Sequence, residues 1–365
     1  MWPLEGIRVV DLTQNVAGPY AGMILADFGA SVTKVEPPGG DATRSWGPPF
    51  WENASPTFLA MNRNKSQKYI DIKTQEGKKE LDELLTEADV LLVSSRPGAM
   101  ERLGLDYECL AEKYPRLIYG EVTAFGNHGP RRMEPGYDPL MQAMGGIMSV
   151  TGHEGQAPVR VGTSIIDMTT GMWLAIGVFG ALHLRQQTGK GQRITSSLYE
   201  TSIAWMSYHI PSYWGTGESP QRWGSGPAMI MPYEAFPTKD KWLVIAAGND
   251  GLFQKLCSVL GHDEWITDPR FMNNAERVRN RNELRSLICE MTQKEDSAYW
   301  ISKLGERGIP SAPVLNVEEM MKEPQLEASG IIQSISHPQI PDFKSVALPI
   351  RMNDERPPLR IPPPL

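Results

Sequence analysis

Residues 161–182 read VGTSIIDMTTGMWLAIGVFGAL, and one acid, Asp167, stands there between a short β-branched run and a long apolar one. No Lys or Arg occurs in the ten residues that follow it. A carboxylate in this position has two uses. As a helix N-cap it accepts backbone N–H bonds and faces the positive end of the helix dipole. The same setting holds it in one rotamer, keeps it ionised and partly excludes water, the conditions that suit a nucleophilic carboxylate. The two uses are compatible, and spacing alone leaves both open.

Other chemistry-bearing patterns fail on spacing. In TGKG, residues 188–191, Leu184 stands where a phosphate loop needs its first glycine, and no Ser or Thr follows Lys190, so a surface turn is expected. No G-x-G-x-x-G follows the first apolar run, where DLTQNVAGPYAG stands, so a dinucleotide fingerprint is missing. His128, His153, His183, His209, His262 and His337 show no H-x-x-x-H or H-E-x-x-H spacing, and no metal site is expected. A G-x-S-x-G nucleophile elbow is absent. Cys109, Cys257 and Cys289 are odd in number and widely separated, which fits neither a disulfide framework nor a zinc motif and points to a reducing, cytoplasmic compartment.

The elements around Asp167 alternate between strand and helix periods. IRVVDL (residues 7–12), SVTKVE (31–36), KYIDI (68–72), DVLLVS (89–94) and RLIYGEV (116–122) read as strands. PYAGMILADFG and TQEGKKELDELLTEA read as helices, the second begun at Thr74. Strand, helix, strand in repetition predicts a parallel sheet with right-handed crossovers. The apolar helix after Asp167 then leads through TGKGQRITSSL, a turn and a strand, to a helix in YETSIAWMSYHI. We divide the chain into a large domain at residues 1–215, a Gly/Pro/Ser/Trp-rich linker at 216–231, a small α+β domain at 232–324 with a hairpin turning at residues 238–241, and an extended Pro-rich tail at 325–365 that returns to the large domain.

Two domains also suit a chain of 365 residues. With 36 basic and 43 acidic residues, the net charge of -7 offers no general attraction to nucleic acid or to an anionic membrane, so an anionic ligand must be met by local cations. The apolar stretch at residues 172–184 falls short of the ~20 residues that span a bilayer. MWPLEGIRVVDL enters a strand almost at once, which leaves no room for a leader ahead of it.

Several segments resemble one family in order along nearly the whole chain. PLEGIRVVDLTQNVAGPYAGMILADFGASVTKVEPPGGDATRSWGPPF, NRNK with DIK after it, RPGAMERLGL, GYDP and TGKGQ are similar to the class III CoA transferases, the formyl-CoA and carnitine type. RWGSGPAMIMPYEAF and AAGNDGLFQKLC most resemble its dicarboxylate branch. The resemblance implies a Rossmann-like large domain with a parallel sheet, a smaller α+β domain, and two chains interlocked like rings in a homodimer. It also implies a further helix beyond the PPPL ending.

In function, the resemblance implies CoA transfer from an acyl-CoA such as succinyl-CoA to a carboxylic acid, with Asp167 as the nucleophile and no tightly bound cofactor. Coenzyme A is then substrate, and neither nucleic acid nor membrane is a partner. Asp138 and Tyr137 fall in the GYDP motif beside it. Backbone N–H groups near Val16 or in the loop holding Gly226 are expected to support the oxyanion. At Val16 relatives carry Gln, so no side-chain role transfers. By motif position Gln14, Asn15, Ala17, Ile70, Ser94, Ala99 and Arg102 meet CoA, while Arg131, with Arg132 next to it, is near but offset from a basic position of the family. Arg44, Arg63 and Arg222 are candidates to clamp the far carboxylate of a dicarboxylic acid.

The same family holds α-methylacyl-CoA racemases, which use a His and Asp pair. Here Tyr137 occupies the place of that His, which favours transfer over epimerisation. A noncatalytic CoA-binding subunit is a third reading, disfavoured by the presence of Asp167.

Overall fold

A computed structural model describes residues 1–365. Six strands, β1 (Arg8–Asp11), β2 (Ser31–Glu36), β3 (Lys65–Tyr69), β4 (Val90–Val93), β5 (Ile118–Thr123) and β6 (Arg193–Ser197), form one sheet in the order β3-β2-β1-β4-β5-β6. Every neighbouring pair is parallel. Parallel neighbours cannot be joined by tight turns, so helices carry the chain across. In chain order these are α1 (Ala17–Asp27), α2 (Pro56–Met61), α3 (Gln75–Thr86), α4 (Ala99–Leu103), α5 (Tyr107–Lys113), α6 (Asp138–Met144), α7 (Ile147–Val150) and α8 (Ile165–Thr188), and α9 (Leu198–Trp205) and α10 (His209–Thr216) follow β6.

The central strands β1, β4 and β5 are mostly apolar and buried because both faces of the sheet are covered there. Successive side chains alternate sides. Val9, Val90, Leu92, Ile118 and Val122 pack with Ala21, Leu25, Leu174 and Val178 of α1 and α8. Val10, Leu91, Val93 and Tyr119 pack on the other face with Leu81 and Leu85 of α3 and Leu110 of α5. Thr74 caps α3 by accepting the Gly77 N–H at 3.0 Å. One strand lies earlier than its apolar letters suggest. β3 ends at Tyr69, and Ile70 and Ile72 of the KYIDI run pack into the second core cluster from beyond it.

α8 has 24 residues and is long and apolar enough, by length and composition, to cross a bilayer, a correction to the shorter span read from the sequence. In this fold Ile166, Leu174, Ala175, Val178, Ala181 and Leu182 are buried, while Met172, Trp173, Ile176 and Leu184 are exposed. α1 crosses α8 at Gly171. A Cβ there would run into the Ala17 carbonyl oxygen and lie 3.2 Å from the Ala21 nitrogen, so only glycine lets the two backbones approach.

The chain divides into two compact units. The first holds Met1–Ile147, Arg160–Ile210 and Pro324–Leu365. Its last segment forms the antiparallel pair Ile332–Ser334 and Lys344–Val346, and the Asn64 side chain accepts the Arg360 and Ile361 N–H groups at 2.6 and 2.9 Å. The second unit, Met148–Val159 and Pro211–Glu323, contains an antiparallel three-stranded sheet of Tyr233–Pro237, Trp242–Ala246 and Ser311–Pro313. Phe236, Leu243, Ile245, Phe253, Leu256 and Leu284 centre its core.

Residues 216–231 are not a free linker. Gly224 bridges to Gly152, Arg222 donates to the Gln156 carbonyl at 2.6 Å, and Arg281 stacks over Trp223 at 4.3 Å while donating to the carbonyls of Pro227 and Ala228. Arginine donors satisfy the backbone of a segment that has no ladder of its own.

Candidate active site

β1 and β4 lie side by side, but the chain leaves β1 toward β2 and leaves β4 toward β5, in opposite directions along the sheet. Such a reversal opens a crevice beyond the carboxyl ends of the two strands. A cleft of about 240 Å³ sits there, lined by residues 14–18, Trp46, residues 94–97, 122–124 and 134–137, Asp167 and Leu198.

Asp167 enters this cleft from the first turn of α8. It is not the N-cap. Ser164 holds that position without a side-chain bond, and the capping carboxylate is that of Asp138. Its Oδ2 accepts the N–H of Ile166 at 2.8 Å and of Asp167 at 3.3 Å, and its Oδ1 accepts Gln142 Nε2 at 2.7 Å. Gln142 in turn accepts the Val161 N–H at 2.8 Å, which ties down the approach to the helix. Asp138 is 2 % exposed, so this network is anchored in the protein interior.

The Asp167 carboxylate itself accepts no hydrogen bond from the chain. Burial, and then the negative charge of Asp138, push its pKa up to about 7. The expectation that local N–H groups keep it ionised is therefore corrected: Asp138 takes those donors, and Asp167 keeps the basicity of a poorly solvated carboxylate. A basic carboxylate with unused lone pairs is a better nucleophile than an ordinary surface acid.

Opposite it is the start of α1. The backbone N–H groups of Val16, Ala17 and Gly18 have no acceptor in the chain, although all three residues are buried and line the cleft. Asn15 turns the chain with φ of 68°, Gln14 N donates to Ser94 Oγ at 3.0 Å, and Asn15 N to Asp41 Oδ1 at 3.3 Å. Orphan donors at a helix start attract negative charge. Gly171 lies one turn along α8 from Asp167 and presses on Ala17, so the helix contact brings carboxylate and donors to one place.

The remaining sequence candidates separate into distinct groups. Gln14, Asn15, Val16, Ala17, Ser94 and Tyr137 line the cleft with Asp167. Arg96 lines it too, exposed and without an ion-pair partner, and sequence reasoning passed over it even though it opens the RPG motif. Ala99 and Arg102 lie on α4 just beyond, with the Arg102 guanidinium over Gly98. Ile70 is 3 % exposed inside an apolar cluster, so its side chain is core rather than a ligand wall. Arg131 pairs with Glu134 at 2.9 Å.

Two of the three proposed carboxylate clamps are corrected. Arg44 makes paired bonds of 2.8 Å to Glu36 and lies 3.9 Å over the Phe58 ring. Arg63 is 4 % exposed and is neutralised by Asp27 at 2.6 Å. Each guanidinium has its charge neutralised by a buried carboxylate, and neither lines the cleft with Asp167. Arg222 and Gly226 belong to the second unit.

A Rossmann-like sheet order brings a buried, basic carboxylate and unpaired N–H groups to one cleft at the switch point, the place where open α/β enzymes hold their ligands. The profile described as CoA-transferase family III matches residues 4–365, and the chain belongs to that family; it is a CoA-transferase. It is 36% identical to human succinyl-CoA:glutarate CoA-transferase over 362 residues, 98% of this chain and 83% of that one. It is 38% identical to the acetyl-CoA:oxalate CoA-transferase of Acetobacter aceti, covering 90% of this chain and 85% of that one. A crystal structure of a CaiB/BaiF family protein from Brucella suis superposes with a TM-score of 0.90 at 37% identity, covering 100% of this chain and 96% of that one.

Proposed function

We propose that this CoA-transferase moves CoA from succinyl-CoA or a similar acyl-CoA to a dicarboxylic acid, through a mixed anhydride and a CoA thioester of Asp167. The observation that carries the reading is the unpaired, basic Asp167 carboxylate facing the free N–H groups of residues 16–18. A carboxylate oxygen of Asp167 attacks the thioester carbon, and the N–H groups hold the resulting oxyanion. The C–S bond then breaks, giving a mixed anhydride and CoA thiolate. The thiolate attacks the aspartyl carbon and expels the donor acid, leaving an aspartyl-CoA thioester. The acceptor carboxylate attacks that carbon and releases the thiolate, which takes the acceptor acyl group and frees Asp167. Bonds and charge balance with no net proton change, and each step exchanges groups of similar energy.

Gln14 and Asn15 line the turn that meets CoA at the switch point, Ser94 lies toward its adenosine, and Arg96 and Arg102 meet its phosphates. Relatives named for succinyl-CoA and glutarate, mesaconate or citramalate support a dicarboxylate acceptor. No histidine lines the cleft, which supports transfer over two-base epimerisation.

We further propose a homodimer, interlocked as the family resemblance implies, in which a second copy covers the exposed Met172, Trp173, Ile176 and Leu184 of α8. Three free cysteines support a reducing, cytoplasmic setting. The test of the reaction is trapping. Enzyme mixed with succinyl-CoA and then hydroxylamine should yield a hydroxamate on the peptide carrying Asp167. Deuterium wash-in at the α-carbon of a branched acyl-CoA without trapping would instead mark an epimerase.

A further inference from the structure

Beneath the α1 start lies a group of charges that the reaction scheme does not use. Asp11, Lys34 and Lys65 are fully buried, at 0 %, 0 % and 1 % exposure. Asp11 closes β1 and pairs in register with Lys34 of β2. Lys34 Nζ donates to Asp41 Oδ2 at 2.8 Å and to the Thr13 carbonyl at 2.9 Å. Lys65 Nζ donates to Asp11 Oδ2 at 2.9 Å, to Asn62 Oδ1 at 3.0 Å and to the Pro19 carbonyl at 2.8 Å. Thr13 and Pro19 bracket the segment that carries the three unpaired N–H groups.

We propose that Lys34 and Lys65 are positioning residues which staple the two ends of residues 13–19 to the sheet, so that the N–H groups of Val16, Ala17 and Gly18 are fixed toward the reacting carbonyl. The inference rests on reading the cleft as the site of attack on the thioester. Buried ion pairs are weak stabilisers, because desolvation offsets their attraction, so stability alone is a poor reason for two of them side by side. A preorganised donor array, by contrast, needs a support that does not relax when charge develops. Helix α1 is fitted to this support: a Cβ on Gly22 would lie 2.6 Å from Asp11 Oδ2 and 3.3 Å from Lys65 Nζ. Partners on both sides complete the clamp. Asp11 also accepts the Thr13 N–H at 3.0 Å, and Asp41 accepts the Asn15 N–H at 3.3 Å.

The test uses two paired variants that leave no orphan charge, Asp11→Asn with Lys65→Met and Asp41→Asn with Lys34→Met, and the charge-conserving Lys34→Arg. Steady-state kcat and KM for succinyl-CoA are read beside circular dichroism and thermal melting. The proposal expects folded proteins whose kcat falls roughly 10- to 100-fold while KM for the donor stays within about threefold, with Lys34→Arg intermediate. Folded variants that keep kcat, or lose it only in step with the unfolded fraction, overturn it. Should a paired variant not fold, the kcat-to-KM split of Lys34→Arg decides. Asp167→Ala runs in parallel: if it stays active, the reading of the cleft fails, whereas an inactive Asp167→Ala beside fully active lysine variants sinks only the staple.

Discussion

The side chain of Asp138 holds the backbone of Asp167: Asp138 Oδ2 accepts the Asp167 N–H at 3.3 Å and that of Ile166 at 2.8 Å, from 29 residues earlier in the chain. One carboxylate therefore caps α8, and in doing so sets the charge environment of the other. Burial and the Asp138 charge together raise Asp167 to about 7.

The pH profile follows from that value. Attack needs the ionised form, so kcat/KM should rise with pH through about 7 and level off above it. Asp138→Asn keeps an oxygen acceptor for the α8 cap but removes the charge, which moves the profile to lower pH. A profile that stays in place after this substitution would show that Asp167 does not set it.

Stability should move the opposite way to activity. The native state holds the Asp167 proton more tightly than the unfolded chain does, so this group's stabilising contribution is complete below the ordinary carboxylate value of 3.8 and is lost as pH rises to about 7. Asp167→Asn is free of that loss. It should be inactive, yet at pH 8 more stable than wild type by about 1–3 kcal/mol, with the gain shrinking as melts are repeated toward pH 4.

The contact between α8 and α1 is tested by glycine substitutions on one helix. Gly171→Ala forces a methyl against the Ala17 carbonyl and should cost about 1–3 kcal/mol and at least roughly tenfold in kcat. Gly180→Ala has open space around it and should be neutral or slightly stabilising. Thermal melts and rates of the pair separate crowding from helix propensity.

Arg96 and Arg102 are exposed cations without ion-pair partners, Arg96 in the lining of the Asp167 cleft and Arg102 just beyond it over Gly98. Arg96→Ala and Arg102→Ala should each raise KM for acyl-CoA about 3- to 10-fold and leave kcat nearly unchanged. The effect should weaken at high salt. A loss confined to kcat would place these side chains in the chemistry instead.

Much of the fold was legible because β1, β4 and β5 are mostly apolar runs buried on both faces, and α3 announces itself with Thr74 and a 3.6-residue stripe. β3 was displaced because an edge strand of KSQKY carries little apolar signal, while Ile70 and Ile72 beyond it do. Asp167 stood out from local pattern, but its cap did not, since a partner 29 residues away leaves no trace in spacing. Nothing in the spacing of Lys34 and Lys65 singles them out; only the fold shows their ammonium groups turned inward on Asp41 and Asp11. Arg44 and Arg63 misled for the reverse reason, as their carboxylate partners Glu36 and Asp27 come from other parts of the pattern.

The central claim, that Asp167 takes part covalently in every turnover, is tested most directly by oxygen transfer. When the acceptor acid carries 18O in its carboxylates, its attacking oxygen becomes the bridge of the second anhydride and stays with Asp167 when the thiolate removes the acyl group. After many turnovers, the peptide containing Asp167 should carry 18O at its carboxylate, at a level that tracks acceptor labelling. Complete conversion of acceptor to its thioester with no label on that peptide would contradict the account.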